Sequence, residues 1–251
     1  MNGTLYLVPN TLDLGAAEVD LGEVLPQGVI RRAAVLHHWV AEDARSTRAF
    51  LKRVAAVEAL SKPLQALDIQ ELPRPRKGSR EGIPASQWHA LLKPALEGHD
   101  MGLISEAGLP AVADPGSMLV GAAHAAGVRV LPLAGASSLL LALASSGLNG
   151  QSFAFVGYLP QEAGARLARI KELDGLSRRS MQTQLVIETP YRNAALMASL
   201  LEGLAPNTVL SVSCGITLPE GWTRSETIAS WRKQPVQMPD RMPAVFAWLA
   251  A

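Results

Sequence analysis

Short apolar runs alternate along the chain with longer stretches in which apolar residues recur every three or four positions. The helical spacing is clearest from Arg45 to Leu60, which predicts an amphipathic helix. Compact apolar runs at Thr4–Val8 and Met101–Ser105 predict buried strands, and Ala33–Trp39 has the composition of another strand. Strands that alternate with helices at this spacing indicate an α/β fold with a parallel sheet.

The same alternation continues along the rest of the chain. It predicts helices over residues 86–97, 118–126, 137–146, 166–176 and 193–204, and strands over residues 128–133, 153–158, 183–188, 209–214 and 244–249. The composition changes at Gly147–Gly150, where turn-forming residues cluster. Because 251 residues suffice for two modest domains, we expect an N-terminal α/β domain at residues 1–148 and a C-terminal α/β domain at residues 149–251.

Composition excludes several classes of protein. Hydrophobic residues make up 48% of the chain and charged residues 18%, which is enough to bury a core and too apolar for a disordered chain. A single cysteine, Cys214, excludes intramolecular disulfides and multi-cysteine zinc sites, and we expect no bound metal. The first residues lack the basic start and long apolar core of a secretory signal. The most apolar stretch, residues 128–148, is interrupted by Pro132 and Gly135, so we expect a cytoplasmic protein without a membrane span.

The net charge of +1 gives no overall signal for nucleic acid, but the charge is unevenly distributed. Residues 31–93 carry twelve basic and six acidic side chains. This basic band is either an anion-facing surface that favours RNA or an ordinary solvated surface. The basic residues considered for an RNA-facing surface are Arg45, Arg48, Lys52, Arg53, Arg74, Arg76, Lys77 and Arg80.

Three segments lie where a predicted strand passes into a helix, and ligands bind at such strand ends in open α/β sheets. The longest is Ser105–Ser117, in which Gly108 and Gly116 tolerate unusual backbone angles and small residues let a ligand approach the backbone. The others are Pro132–Ser138 and Glu188–Arg192. Each segment is equally well explained as a structural loop with helix caps. The sequence contains neither a Walker-type loop nor a glycine-spaced dinucleotide fingerprint.

The third segment contains Arg192, which is a candidate contact for an anion or an exposed residue in a first helical turn. Elsewhere, His37 and His38 lie in an apparent strand, where adjacent side chains point to opposite faces and do not share a metal. Residue chemistry alone therefore indicates an α/β protein with ligand loops at its strand ends.

Taken together, these segments resemble the tetrapyrrole methylase superfamily, a class of S-adenosylmethionine-dependent methyltransferases. The similarity is greatest to the ribosomal RNA small subunit methyltransferase I group, which acts on ribose 2′-oxygens, and to its short paralogues. The segments that carry the resemblance are Gly3–Pro9, Glu42–Arg48, Ser105–Gly116, Pro132–Ser138, Ser146–Leu148, Phe155–Pro160 and Glu188–Arg192.

The resemblance implies two α/β domains with S-adenosylmethionine bound in the cleft between them, and a homodimer. It also implies that the cofactor is contacted by Pro9, Ser105, Glu106, Ala107, Gly108, Pro110, Ala136, Ser137, Ser138, Leu159, Pro190, Tyr191 and Ala244. Five tryptophans are candidate anchors of a dimer interface or members of the two cores: Trp39, Trp88, Trp222, Trp231 and Trp248.

Some positions depart from the ribosomal RNA enzymes. Those enzymes typically have Asp where Glu106 stands, Thr where Leu109 stands, and Ser-Pro-His where Thr189–Tyr191 stand. An Ile-Gly-Asn stretch is replaced here by Asn10–Asp13. These departures resemble the short paralogue branch and bear on the methyl acceptor more than on the cofactor.

The leading hypothesis is therefore a methyltransferase that acts on RNA and takes part in ribosomal RNA processing. The alternatives are a methyltransferase of a tetrapyrrole-like or other small molecule, and a non-catalytic protein that binds S-adenosylmethionine. A ribose hydroxyl as acceptor benefits from a general base. Glu42, Asp43 and Glu188 are the candidates, and the sequence does not choose among them.

Overall fold

The computed structural model describes residues 1–13, 20–74 and 82–251. The chain divides into two compact units, Met1–Ser137 and Ser138–Ala251, which are described one by one. The change of composition predicts a boundary at residue 148, whereas the contacts place the preceding helix, α7 (Ser138–Ser146), against the strands of the second unit.

The first unit is built on one fully parallel sheet. Its strands are β1 (Thr4–Leu7), β2 (His38–Ala41), β3 (Asp68–Glu71), β4 (Met101–Ile104) and β5 (Arg129–Pro132), in the order β3-β2-β4-β1-β5. Its helices are α1 (Leu21–Val24), α2 (Gln27–Val35), α3 (Ala44–Val57), α4 (Ala85–Leu91), α5 (Lys93–Leu96) and α6 (Ser117–Ala125). The predicted parallel α/β sheet is confirmed.

Successive residues of the strands face opposite sides of this sheet, as strand geometry requires. Leu5 and Val40 belong to the hydrophobic cluster formed with Leu119, whereas Tyr6 and Trp39 belong to the cluster on the other side. Every residue of β4 is buried, because this central strand is covered on both faces. The sheet therefore separates two cores and leaves its carboxyl edge to the loops.

The second unit has a mixed sheet of five strands. They are β6 (Phe153–Phe155), β7 (Thr183–Glu188), β8 (Val209–Cys214), β9 (Trp222–Thr227) and β10 (Ala244–Leu249), in the order β6-β7-β10-β8-β9. Only β6 and β7 are parallel, and the other neighbours are antiparallel. The helices that follow α7 are α8 (Ala163–Ser180), α9 (Asn193–Gly203) and α10 (Ile228–Lys233). None of the helices in the described ranges combines the length and the apolar character that crossing a lipid bilayer requires.

The interior of the second unit accounts for much of its aromatic content. Trp231, Trp248 and Phe246 are fully buried in one core. Trp39 and Trp88 are buried in the first unit, and Trp222 packs partly buried against the second core. Four of these five tryptophans are buried within the two units, so those four do not serve as exposed interface anchors.

Two features of the secondary structure differ from the sequence prediction. The predicted strand Ala33–Trp39 is wrong, since helix α2 runs to Val35 and β2 begins only at His38. Val29, Ile30 and Ala33 are buried at helical spacing, and this periodicity outweighs the strand-like composition. Strands β3 and β9 were not predicted, because they lie at sheet edges and are largely polar.

A single substitution tests the packing of β4. A Cβ atom added at Gly102 would lie 2.7 Å from the ring of Trp39, which is 1% exposed. We expect Gly102→Ala to lower the free energy of unfolding by about 1–3 kcal/mol, because the tryptophan has no room to move. Gly121→Ala is the matched control, since no atom lies within 4 Å of the added Cβ and the residue is in a helix. It should stabilise the protein by about 0.5–1 kcal/mol in urea denaturation, and equal effects of the two changes would contradict the packing described here.

Candidate functional site

The carboxyl ends of four neighbouring strands bring the predicted loops of the first unit together. Pro9 and Asn10 follow β1, Glu42 follows β2, Ser105 opens the loop after β4, and Gly135 lies in the turn after β5. Because the strands are parallel and adjacent, all four segments lie at one edge of the sheet. This is the edge at which open α/β sheets bind ligands.

The side chain of Asn10 holds the loop after β4 in place. Its backbone N–H donates to the carbonyl oxygen of Gly108 at 2.9 Å. Its Nδ2 donates to the carbonyl oxygens of Ser105 at 3.1 Å and Glu106 at 2.9 Å. Asn10 is buried, so these bonds are shielded from water. In the sequence, Asn10 is visible only as a departure from the ribosomal RNA enzymes, although a carboxamide directly after a strand is a usable signal for such a clamp.

The loop after β4 and the turn after β5 face each other. A Cβ added at Gly108, whose φ is +65°, would lie 3.6 Å from the carbonyl oxygen of Ala136. A Cβ added at Gly135 would lie 2.3 Å from Pro9, which shows how closely that turn packs on the end of β1. Three predicted cofactor residues, Pro9, Gly108 and Ala136, are thereby brought together within the first unit.

Ser105 lies at the base of this arrangement. It is 2% exposed, and its Oγ has no partner in hydrogen-bond geometry among the described residues. A buried hydroxyl without a partner costs free energy, so its retention here is consistent with a polar ligand atom that completes it. The small residues of the loop and the Ser105 hydroxyl suit a polar edge of a ligand such as S-adenosylmethionine. Of the other predicted contacts, Pro110 and Ser137 are buried, whereas Glu106 and Ala107 are exposed.

Three carboxyl groups gather at the same edge. The carboxylate Oε2 of Glu42 accepts from the backbone N–H of Glu106 at 3.2 Å. Although much of Glu106 is exposed, partial loss of hydration raises the pKa of its carboxyl group, and the negative charges of Glu42 and Asp43 add to the effect while Arg74 opposes it. Burial, followed by the charge of Glu42, raises the pKa of Asp114 to about 7. No group of three or more His, Cys, Asp or Glu side chains that could hold a metal ion occurs in the described ranges.

The backbone of the same loop is strained. Ala111 and Ala113 have φ angles of 65° and 64°, in the left-handed region that side chains other than glycine avoid. Such residues persist only when the surrounding structure enforces them, and they concentrate at functional sites. The strained backbone therefore marks Asp114 as a candidate site residue, which the sequence alone did not indicate.

The second unit places its predicted contacts at one end of its own sheet. Leu159 follows β6, Pro190 and Tyr191 follow β7, and Ala244 begins β10 opposite Glu188. Leu159 and Ala244 are buried, whereas Tyr191 is 73% exposed. Ser138 is the first residue of α7 and does not lie at one of these strand ends.

Two of the candidate bases already have structural partners. Asp43 caps α3, and its Oδ1 accepts from the backbone N–H of Ser46 at 2.6 Å, a bond that lowers the pKa of Asp43. The Glu188 carboxylate lies 2.7 Å from Nη2 of Arg192 and also accepts from the backbone N–H of Thr189. Arg192 is therefore paired with Glu188 within the chain, and its contact with a ligand anion stays a prediction.

The basic band is also divided by its contacts. Arg45, Arg48 and Lys52 are exposed on α3, but Arg53 forms an ion pair of 2.7 Å with Asp13, which is 1% exposed. Arg53 is thus part of the structure of the first unit and not of an open anion-facing surface. Arg76, Lys77 and Arg80 lie outside the described residues.

Comparison with known proteins places this geometry in a family. A ribosomal RNA small subunit methyltransferase I of Xylella fastidiosa is 33% identical over 195 residues, which cover 76% of this chain and 63% of that protein. Its counterpart from Micromonospora olivasterospora is 34% identical over 199 residues, which cover 79% of this chain and 55% of that protein. The chain spans less than two thirds of the length of these curated relatives. No protein-family model matches the chain.

The fold comparison covers both units. The uroporphyrin-III C-methyltransferase of Thermus thermophilus, solved with S-adenosylhomocysteine, superposes with a TM-score of 0.53 at 18% identity. The match covers 98% of this chain and 97% of that structure. The chain belongs to the tetrapyrrole methylase superfamily. Its two α/β units are those of a tetrapyrrole methylase, as the sequence analysis expects.

The strain in this tetrapyrrole methylase loop is open to a direct test. Ala113→Gly should raise the free energy of unfolding by up to about 1 kcal/mol, because glycine adopts a φ of 64° without penalty. Ala107→Gly is the matched control in the same loop, where φ is not positive. It should destabilise the protein by about 0.4–1 kcal/mol through the greater freedom of the unfolded chain. If both changes shift the urea midpoint in the same direction, Ala113 is not strained.

Proposed function

We propose that the chain is an S-adenosylmethionine-dependent methyltransferase that acts on a ribose 2′-oxygen of ribosomal RNA. The names of the relatives from Xylella fastidiosa and Micromonospora olivasterospora support ribosomal RNA as the substrate. The Thermus thermophilus neighbour, solved with S-adenosylhomocysteine, supports the cofactor. The observation that carries the proposal is the loop Ser105–Pro110, which Asn10 holds in place by hydrogen bonds and which faces Ala136.

The residues of the first unit suit the binding of such a cofactor. When bound, S-adenosylmethionine supplies the methyl group to be transferred. The Ser105 hydroxyl and the backbone of Gly108 and Ala136 are placed to bind and orient it. Burial of Ser105 and Pro110 excludes water from the base of the loop. Orientation of two reactants and a dry environment both favour a transfer in which positive charge is lost.

Helix α3 supports RNA as the second substrate. It begins directly after Glu42 and Asp43, so one of its ends lies at the carboxyl edge of the sheet. Arg45, Arg48 and Lys52 are exposed and spaced three and four residues apart, which places them on one face of the helix. From Arg45 to Lys52 the helix rises about 10 Å. This row of charges therefore leads away from the edge in a manner suited to successive phosphates.

A surface depression continues the same row. It has a volume of about 600 Å³. Its lining includes Lys52, Lys62, Ser61 and Gln65 together with apolar residues. Two ammonium groups with neighbouring hydroxyl and amide groups suit a phosphate and its ribose. The described part of the basic band thus offers a path of positive charge on one side of the first unit.

The second candidate function is methylation of a tetrapyrrole-like small molecule. It is favoured by the name of the Thermus thermophilus neighbour, although that similarity of 18% identity speaks for the fold alone. The α3 charges distinguish the two candidates, since a small molecule gains little from a row of cations about 10 Å long. We propose a cytoplasmic location because ribosomal RNA is the proposed substrate. The homodimer stays a prediction from the superfamily resemblance.

Cofactor binding is tested by calorimetry with S-adenosylhomocysteine. We expect a dissociation constant near 1 μM for the unmodified protein, equivalent to about −8 kcal/mol. Gly108→Val should weaken binding at least tenfold, because its methyl groups would occupy the space between the loop and Ala136. Gly127→Val is the matched control: its φ of +66° imposes the same backbone strain, and no atom lies within 4 Å of its Cβ. Equal binding by the two variants, or no binding by folded wild type, would contradict the cofactor assignment.

RNA binding is tested by its dependence on salt. Removing one phosphate contact should lower the slope of log affinity against log salt concentration by about 0.7–0.9. We expect such a decrease for Arg48→Ala and Lys52→Ala with a fragment of ribosomal RNA. Lys171→Ala is the control, since Lys171 is exposed on α8 in the second unit. Unchanged slopes in the α3 variants would remove RNA from this surface and favour the small-molecule acceptor.

A further inference from the structure

Asp114 is a half-buried carboxyl group at the same sheet edge as the proposed cofactor loop. It lies in the connection between β4 and α6, two residues before Gly116. The Glu42 and Glu106 carboxylates act on it electrostatically, and the Ser105 hydroxyl lies near enough to favour its charged form. The groups that face Asp114 thus come from the end of β2 and from the β4 loop itself.

The backbone fixes this carboxyl group in place. Ala113, the residue directly before it, is held in the left-handed region, and so is Ala111. Gly116, with a φ of +131°, closes the segment, and a Cβ there would lie 3.0 Å from Leu103. A loop that tolerates two strained alanines is determined by its packing, so the direction of Asp114 is set before any ligand binds.

Ser105, beside Asp114, is the second observation at this position. Only 2% of the Ser105 surface is exposed, and its Oγ has no partner in hydrogen-bond geometry among the described residues. The hydroxyl therefore has bonding capacity left at the point where the loop, Asp114 and Glu42 converge. An incoming hydroxyl or amino group from a substrate would satisfy it.

We propose that Asp114 accepts the proton of the substrate hydroxyl during methyl transfer; this inference rests on the proposed function. The ribose 2′-oxygen forms a bond to the methyl carbon while the bond between that carbon and the sulfur breaks. The sulfur keeps the electron pair of the broken bond and becomes an uncharged thioether. The proton of the 2′-hydroxyl passes to the carboxylate of Asp114, which becomes a neutral carboxylic acid, so charge and atoms balance.

The electrostatics of Asp114 suit this role better than those of the other carboxyl groups. A general base works best when its pKa lies near the working pH, and the pKa of Asp114 is raised to about 7. Asp43 is committed to the cap of α3, and the pKa of its carboxyl is lowered by that bond. Glu188 is held by Arg192 in the second unit. Glu42 accepts the N–H of Glu106 and acts on Asp114 through its charge.

Two variants separate a base from a charged neighbour. Asp114→Asn keeps the shape of the side chain and removes its basicity. It should lower kcat by about 10²–10⁴ while the dissociation constant for S-adenosylhomocysteine changes less than threefold. Glu42→Gln keeps an acceptor for the Glu106 N–H and removes a negative charge. It should shift the acidic limb of the kcat profile to lower pH, because loss of that charge lowers the pKa of Asp114.

Equilibrium unfolding gives a readout that does not depend on activity. A folded-state pKa above the unfolded value means that folded Asp114 keeps a proton that the unfolded chain has released. Its stabilising contribution is therefore complete at low pH and is lost as pH rises through about 7. The stability of wild type relative to Asp114→Asn should fall from pH 5 to pH 8. A flat difference over that range would overturn the proposal.

The outcomes distinguish the proposed function from the role of Asp114. Full activity of Asp114→Asn on ribosomal RNA, or an acidic limb that stays at the wild-type pH in Glu42→Gln, would overturn the assignment of the base and leave the methyltransferase intact. Wild type that binds S-adenosylhomocysteine but transfers no methyl group to RNA would refute the proposed acceptor, and this inference with it.

Discussion

The arrangement of the first unit depends on the bonds that Asn10 makes with the loop after β4. Parallel strands bring their carboxyl ends to one edge, but they do not by themselves fix the loops that leave that edge. Asn10 supplies one backbone donor and one buried carboxamide, and these engage three carbonyl groups between Ser105 and Gly108. The clamp fixes the backbone of residues 105–108, of which Gly108 faces Ala136.

Close packing of backbone against backbone complements the clamp. Gly135 lies so near Pro9 that no side chain fits between them, and Gly102 is similarly enclosed by Trp39. Glycine is required at these positions because of approach distance and not because of an unusual φ. The loop between β4 and α6 is different, since its left-handed residues include two alanines as well as two glycines. Close packing around the sheet thus holds the loop in its strained backbone conformation. The strained residues lie directly before Asp114.

The acidic cluster and the basic helix serve different parts of the proposed reaction. Glu42, Glu106 and Asp114 lie at the sheet edge, where loss of hydration and the charge of Glu42 raise the pKa values of Glu106 and Asp114. Arg45, Arg48 and Lys52 lie along α3, which starts from that same edge. A polyanion would be held on the helix while a single hydroxyl reaches the carboxyl groups. Arg53 is not counted among the RNA-facing charges because its guanidinium is paired with the buried Asp13.

The sequence by itself determined the alternation of strands and helices, the parallel sheet of the first unit and the three strand-end segments. These follow from hydrophobic periodicity and from short motifs, which are local properties of the chain. It did not determine that residues 33–35 end a helix, that polar edge strands β3 and β9 exist, or that α7 packs with the second unit. Those outcomes depend on which neighbours cover each segment. The raised pKa of Asp114 and the unpartnered Ser105 hydroxyl were likewise decided only by tertiary structure, because both arise from burial beside residues that are far apart in sequence.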